Sequence, residues 1–220
     1  MIFIPEVILF NLIKGLLTYI EEDFNQNGEE KSILYKLLYG NKITNFDFYE
    51  EGKKLFLRSK DDSRKIDVRL FFSAERASMP TIHLTLPSEE KGSMDGIGFD
   101  QGYSPDEIDQ IKGNVIPFYT RSFSTTYNLV ITSNNTWEVI LMYSVLKSLL
   151  IGAVDSIELD GLRNPRLGGG DLQLNSDLIP PEVFIRTITL SVEQEQSVPR
   201  IFNDKLIKNI NIILKPVEEI

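Results

Sequence analysis

The chain contains no cysteine, which removes structural disulfides, thiolate zinc sites and cysteine nucleophiles together. It contains a single histidine, His83, so a two-histidine metal centre is excluded and a Ser-His-Asp triad would have to be built around that one ring. Basic charge is also scarce. Against 32 Asp and Glu stand 23 Lys and Arg, giving a formal charge of −9 and a pI near 4.8. That balance argues against general binding to a nucleic-acid backbone, which needs a net basic face to displace counterions. It leaves open a local basic patch or a partner with a basic surface. Long apolar runs are missing too. The N-terminal stretch "MIFIPEVILFNLIKGLLTYIEEDF" carries Glu6 and Lys14, and residues 7–13 are its uncharged run, far short of the ~20 residues that cross a bilayer. Without a basic leader or a small-residue cleavage site, this segment is expected to belong to a mature, cytoplasmic protein.

What is present is enough for a core. The 220 residues are 42% hydrophobic and include 13 Phe and 8 Tyr, sufficient for one large domain or for a domain with an appendage. Residues 5–24 read as a helix, with Pro5 in its first turn and Glu6 at the positive end of its dipole. A second helix, "EKSILYKLLYG", presents Ile33, Leu34, Leu37 and Leu38 and stops at Gly40. From residue 43 the period changes, and "KKLFLRS", "RKIDVRLFF" and "PTIHLTLP" read as strands. In the last, Ile82, Leu84 and Leu86 share one face, while Thr81, His83 and Thr85 share the other.

Residues 88–117 are rich in Gly and acid and lack periodicity, so they read as a long inserted loop of the kind that often binds something. A strand from about Phe118 to Thr132 follows, with Phe123, Tyr127, Leu129 and Ile131 on one side. The next helix begins near Asn135, where Glu138 stands in position for a reciprocal capping box, and Gly152 closes it. A Gly-rich corner then leads to the strand "EVFIRTITLSVEQEQ", about 15 residues long. In it Ile188, Leu190 and Val192 oppose Thr187, Thr189, Ser191 and Glu193. The fold class expected is α+β, a mainly antiparallel sheet with helices packed on one face. Residues 1–199 form the domain, with 88–117 inserted, and residues 200–220 form an apolar C-terminal arm after Pro199.

Chemistry is hard to find. The strand-to-helix turn at Ser133, Asn134, Asn135 and Thr136 has no Gly or Lys for a phosphate cradle, and Ile131 and Asn135 flank Ser133 where a nucleophile elbow needs small residues. A capped helix start explains it. "RNPRLGGGDLQLNSD" sets three glycines beside Arg163 and Arg166, but no Walker lysine follows; a flexible turn or a loop touching a neighbour fits better. Asp95, Asp100, Asp106, Glu107 and Asp109 miss the spacing of an EF-hand loop. Arg58, Lys60, Arg64, Lys65 and Arg69 form a basic cluster interrupted by Asp61, Asp62 and Asp67. No catalytic residue, metal ligand or cofactor is assigned.

The order of elements, an N-terminal helix, strands, a long strand, the capped helix "TSNNTWEVILMYSVLKSLL" and a last long strand ending near "VEQEQ", resembles the neck and tail-terminator proteins of tailed bacteriophages. The stretch from Tyr127 into the helix is similar to their strand-then-helix segment. The resemblance spans residues 1–195 in outline and rests on pattern, not on diagnostic residues; the 88–117 insertion and the 200–220 tail depart from it.

The resemblance implies a structural, non-enzymatic virion protein assembled in the host cytoplasm. It would form a sixfold or twelvefold homo-oligomeric ring at the head-to-tail connection, between portal or neck proteins and tail proteins. DNA would pass through the lumen and no membrane would be involved. Subunit contacts would come from the apolar residues Phe202, Leu206, Ile207, Ile210, Ile212 and Leu214, and loop contacts from Ile97, Phe99, Tyr103, Arg163 and Arg166. Two other classes stay open: a hydrolase with carboxylate or metal chemistry in the acidic loop, and a monomeric adaptor that binds a protein through residues 88–117.

Overall fold

The structure is a computed structural model and describes residues 4–57, 66–71, 79–92, 102–108, 115–171 and 183–199. For 102–108, 115–120 and 197–199 the backbone alone is described. Helix α1 (Pro5–Asn27) is followed by α2 (Ile33–Leu38), a short hairpin of β1 (Lys42–Ile43) and β2 (Phe46–Asp47), and α3 (Phe48–Phe56). Then come strands β3 (Asp67–Leu70), β4 (Thr81–Lys91), β5 (Gly102–Ile108) and β6 (Val115–Ser133), helices α4 (Thr136–Gly152) and α5 (Val154–Leu159), and strands β7 (Arg163–Asp171) and β8 (Phe184–Pro199). The sheet runs β3-β4-β6-β8-β7, with β5 pairing beside β4 on the same edge of β6. All its pairings are antiparallel except β3 with β4. The α+β class read from the sequence is the class of the fold.

Registers show which residues share a face. Ile82 pairs with Ile131, Leu84 with Leu129, Leu129 with Ile188, Tyr127 with Leu190, and Thr125 with Val192. Apart from Thr125, these residues join the single hydrophobic core, which also takes in Leu9, Ile13 and Ile20 of α1, Leu34 and Leu38 of α2, and seven residues of α4. All the helices that supply this core therefore lie on one face of the sheet. Helix α4 contacts β6 and β8 on one side and α3 on another. That double cover explains why its apolar stripe is so wide.

Three segments differ from expectation. "KKLFLRS" lies mostly in α3, not in a strand. Asp47 caps that helix, accepting from the Tyr49 and Glu50 amides at 3.1 and 3.3 Å, and its buried residues Tyr49, Gly52 and Phe56 recur at helical spacing. The alternation at Leu55 and Leu57 is the tail of a period that begins before the segment. Gly52 fits because a Cβ there would stand 2.6 Å from Leu38 of α2. The 88–117 segment is not one loop: residues 88–91 complete β4, 102–108 form β5 and 115–117 open β6. Backbone pairing to β6 organises these residues, and prolines mark its interruptions. The β4 register shifts between Thr85 and Ser88, around Pro87, and the β5 register shifts between Ser104 and Glu107, around Pro105. Finally, the Gly-rich corner is strand β7, whose register shifts between Arg163 and Arg166 at Asn164, where φ is +52°.

Small polar contacts fix the helices. Buried Asp23 at the end of α1 accepts from the Ile33 amide at 2.6 Å and from Asn27 at 2.8 Å, so one helix caps the next. Nearby, Glu29 accepts from the Tyr49 hydroxyl at 3.0 Å and pairs with Lys53 at 2.8 Å. These bonds hold the Glu29 carboxyl below the usual carboxylate range. Burial, then the Glu29 carboxylate, push the Tyr49 phenol up to about 12.

Candidate functional site

The strand-to-helix turn that invites a catalytic reading is structural. Asn135 caps α4 by accepting from the Trp137 amide at 2.9 Å. The Asn135 amide donates to Ser133 Oγ at 3.3 Å, and Ser133 Oγ donates to Glu138 Oε2. The capping box is thus relayed through the buried Ser133 hydroxyl. His83 projects from the less apolar face of β4, as expected, yet it is buried, with Nδ1 3.2 Å from the Phe71 carbonyl oxygen.

The distinctive feature is the other face of the sheet, which is helix-free among the described residues. By strand alternation its half-buried or exposed positions are Ser124, Thr126 and Asn128 on β6 and Thr189, Ser191 and Glu195 on β8, while Ser122, Val130, Thr187 and Glu193 of the same face are buried. Rows form across the strands. Thr85 Oγ1 donates to the Asn128 carbonyl at 3.4 Å, and Thr189 Oγ1 donates to Asn128 Oδ1 at 3.2 Å. One row on, Thr126 and Ser191 hydroxyls meet at 3.0 Å. Such pairs hold hydroxyls in fixed positions at little desolvation cost.

Its charges are mostly cancelled. By register, Asp67, Arg69, Glu90, Arg163 and Arg166 share the face with Glu193 and Glu195. Arg69 Nε lies 2.6 Å from Asp67 Oδ2, and Arg163 Nη1 lies 2.9 Å from Glu195 Oε1. Among the described residues four acids thus face three arginines, so these side chains offer a polyanion no net basic surface. The Arg69 ion pair also answers the basic cluster read from the sequence; its other members lie outside the described residues.

The ladder continues a long ribbon. β8 pairs with β6 along all its 16 residues, ~50 Å at strand rise. Past Gly92, whose amide donates to the Ser122 carbonyl at 3.0 Å, β5 takes over from β4 as the partner of β6. A Cβ on Gly92 would stand 2.9 Å from the Ser122 backbone carbon, so the chain passes there only as glycine.

At the far edge, β7 is packed under α4. A Cβ on Gly169 would stand 2.5 Å from the Tyr143 hydroxyl. The Tyr143 ring has the Arg186 guanidinium 5.0 Å and the Lys147 ammonium 5.5 Å from its centre. Arg186 pairs with Asp171 at 2.7 Å and holds its carboxyl below the usual range.

Of the contact residues expected from the sequence, Arg163 and Arg166 are exposed on β7 and Tyr103 is on β5. Ile97, Phe99, Phe202, Leu206, Ile207, Ile210, Ile212 and Leu214 lie outside the described residues. The hydroxyl rows were visible in part: the Thr187, Thr189, Ser191 alternation marks one face, but its neighbours across the sheet need the register. Among the described residues no group of three His, Asp or Glu side chains is placed to hold a metal ion, and no helix is long and apolar enough to cross a membrane. No protein-family model matches the chain, and no curated protein matches it.

Proposed function

We propose that this chain is a structural subunit of a ring in the neck or tail-terminator region of a tailed-phage particle, with the helix-free sheet face toward the DNA channel. The observation that carries this reading is the hydroxyl-lined, charge-cancelled face on a long three-strand ribbon. A channel wall must offer DNA neither a basic patch that would retain it nor an apolar patch that would exclude water. The bonded groups Thr85, Asn128 and Thr189 and the pair Thr126 and Ser191, with Arg69 and Arg163 held in ion pairs, support both demands. Portal or neck proteins would lie on one side of the ring and tail proteins on the other, and no catalytic step is assigned.

The test is the solution mass of the full-length protein over a concentration series, by light scattering behind a sizing column, with electron micrographs of each peak. Closed rings of sixfold or twelvefold symmetry are expected. A species that stays monomeric at every concentration, and with isolated phage particles lacking their neck, overturns the proposal.

A further inference from the structure

We infer that the outer edge of β7 is a docking site for residues 208–213 of a second copy of this chain, added antiparallel as a further strand. The inference rests on the ring reading, because it needs a neighbouring subunit. Within the described residues β7 ends the sheet, pairing with β8 on one side alone. Its nine residues, Arg163–Asp171, are mostly exposed and include Gly168, Gly169 and Gly170, which put no side chains in the way of an incoming backbone. Such an edge is a template for strand addition unless it is blocked.

The occupant is chosen by pattern, charge and reach. In "KNINII", residues 208–213, Asn209 to Ile212 alternate polar and β-branched residues at the strand period, and Ile213 breaks the alternation. Setting Lys208 opposite Asp171 brings Ile210 opposite Gly169 and Ile212 opposite Leu167, all on the helix-covered face, while Asn209 and Asn211 fall opposite Gly170 and Gly168 on the polar one. Antiparallel addition also carries the segment's later acids, Glu218 and Glu219, toward the end of β7 that holds Arg163 and Arg166. Arg166 is exposed and makes no ion pair among the described residues. Parallel addition would reverse both matches, placing Lys205 and Lys208 toward those arginines.

The chain's own tail cannot make the antiparallel pairing. Asp171 pairs with Arg186, and β8 continues from there to Pro199, a span of ~43 Å along the strand. The residues between Pro199 and Lys208 stretch at most ~30 Å. A second copy has no such limit.

The absence of cysteine makes the test clean. Gly170→Cys and Asn209→Cys are combined in the full-length chain; a Cβ at Gly170 meets nothing within 4 Å, so the first substitution leaves the fold undisturbed. The same experiment is repeated with Cys at 211 and at 213, which share the face. Oxidation is expected to convert most of the monomer band into a ladder of covalent multimers on a non-reducing gel, with each single variant staying monomeric. A fast-running, internally closed monomer overturns the inference, since it would mean docking within one chain. So does equal dimer formation by Gly170→Cys alone, which would mean β7 against β7. Rings without crosslinks at 209, 211 and 213 overturn the docking and leave the ring reading intact. No rings and no ladder overturn both.

Discussion

Adjacent glycines in β7 give opposite expectations for the same substitution. A Cβ on Gly169 would stand 2.5 Å from the Tyr143 hydroxyl, 2.9 Å from Tyr143 Cε2 and 2.8 Å from the Thr187 carbonyl oxygen, whereas a Cβ on Gly170 would meet nothing within 4 Å. Alanine at either position removes conformational freedom from the unfolded chain, which stabilises by ~0.4–1 kcal/mol. At Gly169 the added carbon must displace both a ring held under α4 and a backbone oxygen within the ladder, an overpacking cost of ~1–3 kcal/mol. Gly170→Ala should therefore stabilise slightly and Gly169→Ala should destabilise, with a gap of ~2 kcal/mol. For a chain of this size that gap corresponds to ~4–8 °C in Tm. The assay is thermal unfolding by circular dichroism at one fixed protein concentration, because the proposed assembly would make Tm concentration-dependent. Tyr143→Phe in the Gly169→Ala background should restore part of the loss and not all, since the Thr187 oxygen remains. Two alanine variants within ~0.5 kcal/mol of each other would refute the packing of β7 under Tyr143.

Three further outcomes are expected. Asp23→Ala should cost ~2 kcal/mol in urea unfolding, because it removes a charged acceptor from the buried start of α2, with Asp23→Asn falling between; a loss under ~0.5 kcal/mol would show that this cap is idle. Tyr49→Phe should make the alkaline loss of stability shallower. The folded Tyr49 phenol titrates at about 12, above its ordinary value of 10.0, so its contribution is complete below pH ~10 and is lost as pH rises through ~12; unchanged alkaline unfolding curves would count against it. On the proposed ring reading the parent protein should not retain duplex DNA at low salt, whereas Ser88→Lys with Ser124→Lys should retain it with a salt slope that steepens by ~0.9 per phosphate contacted. Equal retention of both would count against the proposal that this face lines a DNA channel.

Local sequence determined those parts of the fold whose signals are complete within a few residues. The helix of α1 after Pro5, the stop of α2 near Gly40 and the alternation of β8 follow from φ limits, capping and the strand period alone. They are legible because each side chain acts on its own backbone. The tertiary structure decided the rest. Leu55 and Leu57 suggested a strand until Asp47 and the spacing of Tyr49, Gly52 and Phe56 against α2 made a helix. Residues 88–91 and 102–108 carry almost no apolar period, and became strands because β6 supplies backbone partners that no local pattern announces. Asn128, Thr189 and Thr85 are far apart in the chain and meet because the register of three strands aligns them. Hydrogen bonds across a sheet are made between positions that the sequence never places side by side, so the face that carries the proposed function could be read only once the strands were paired.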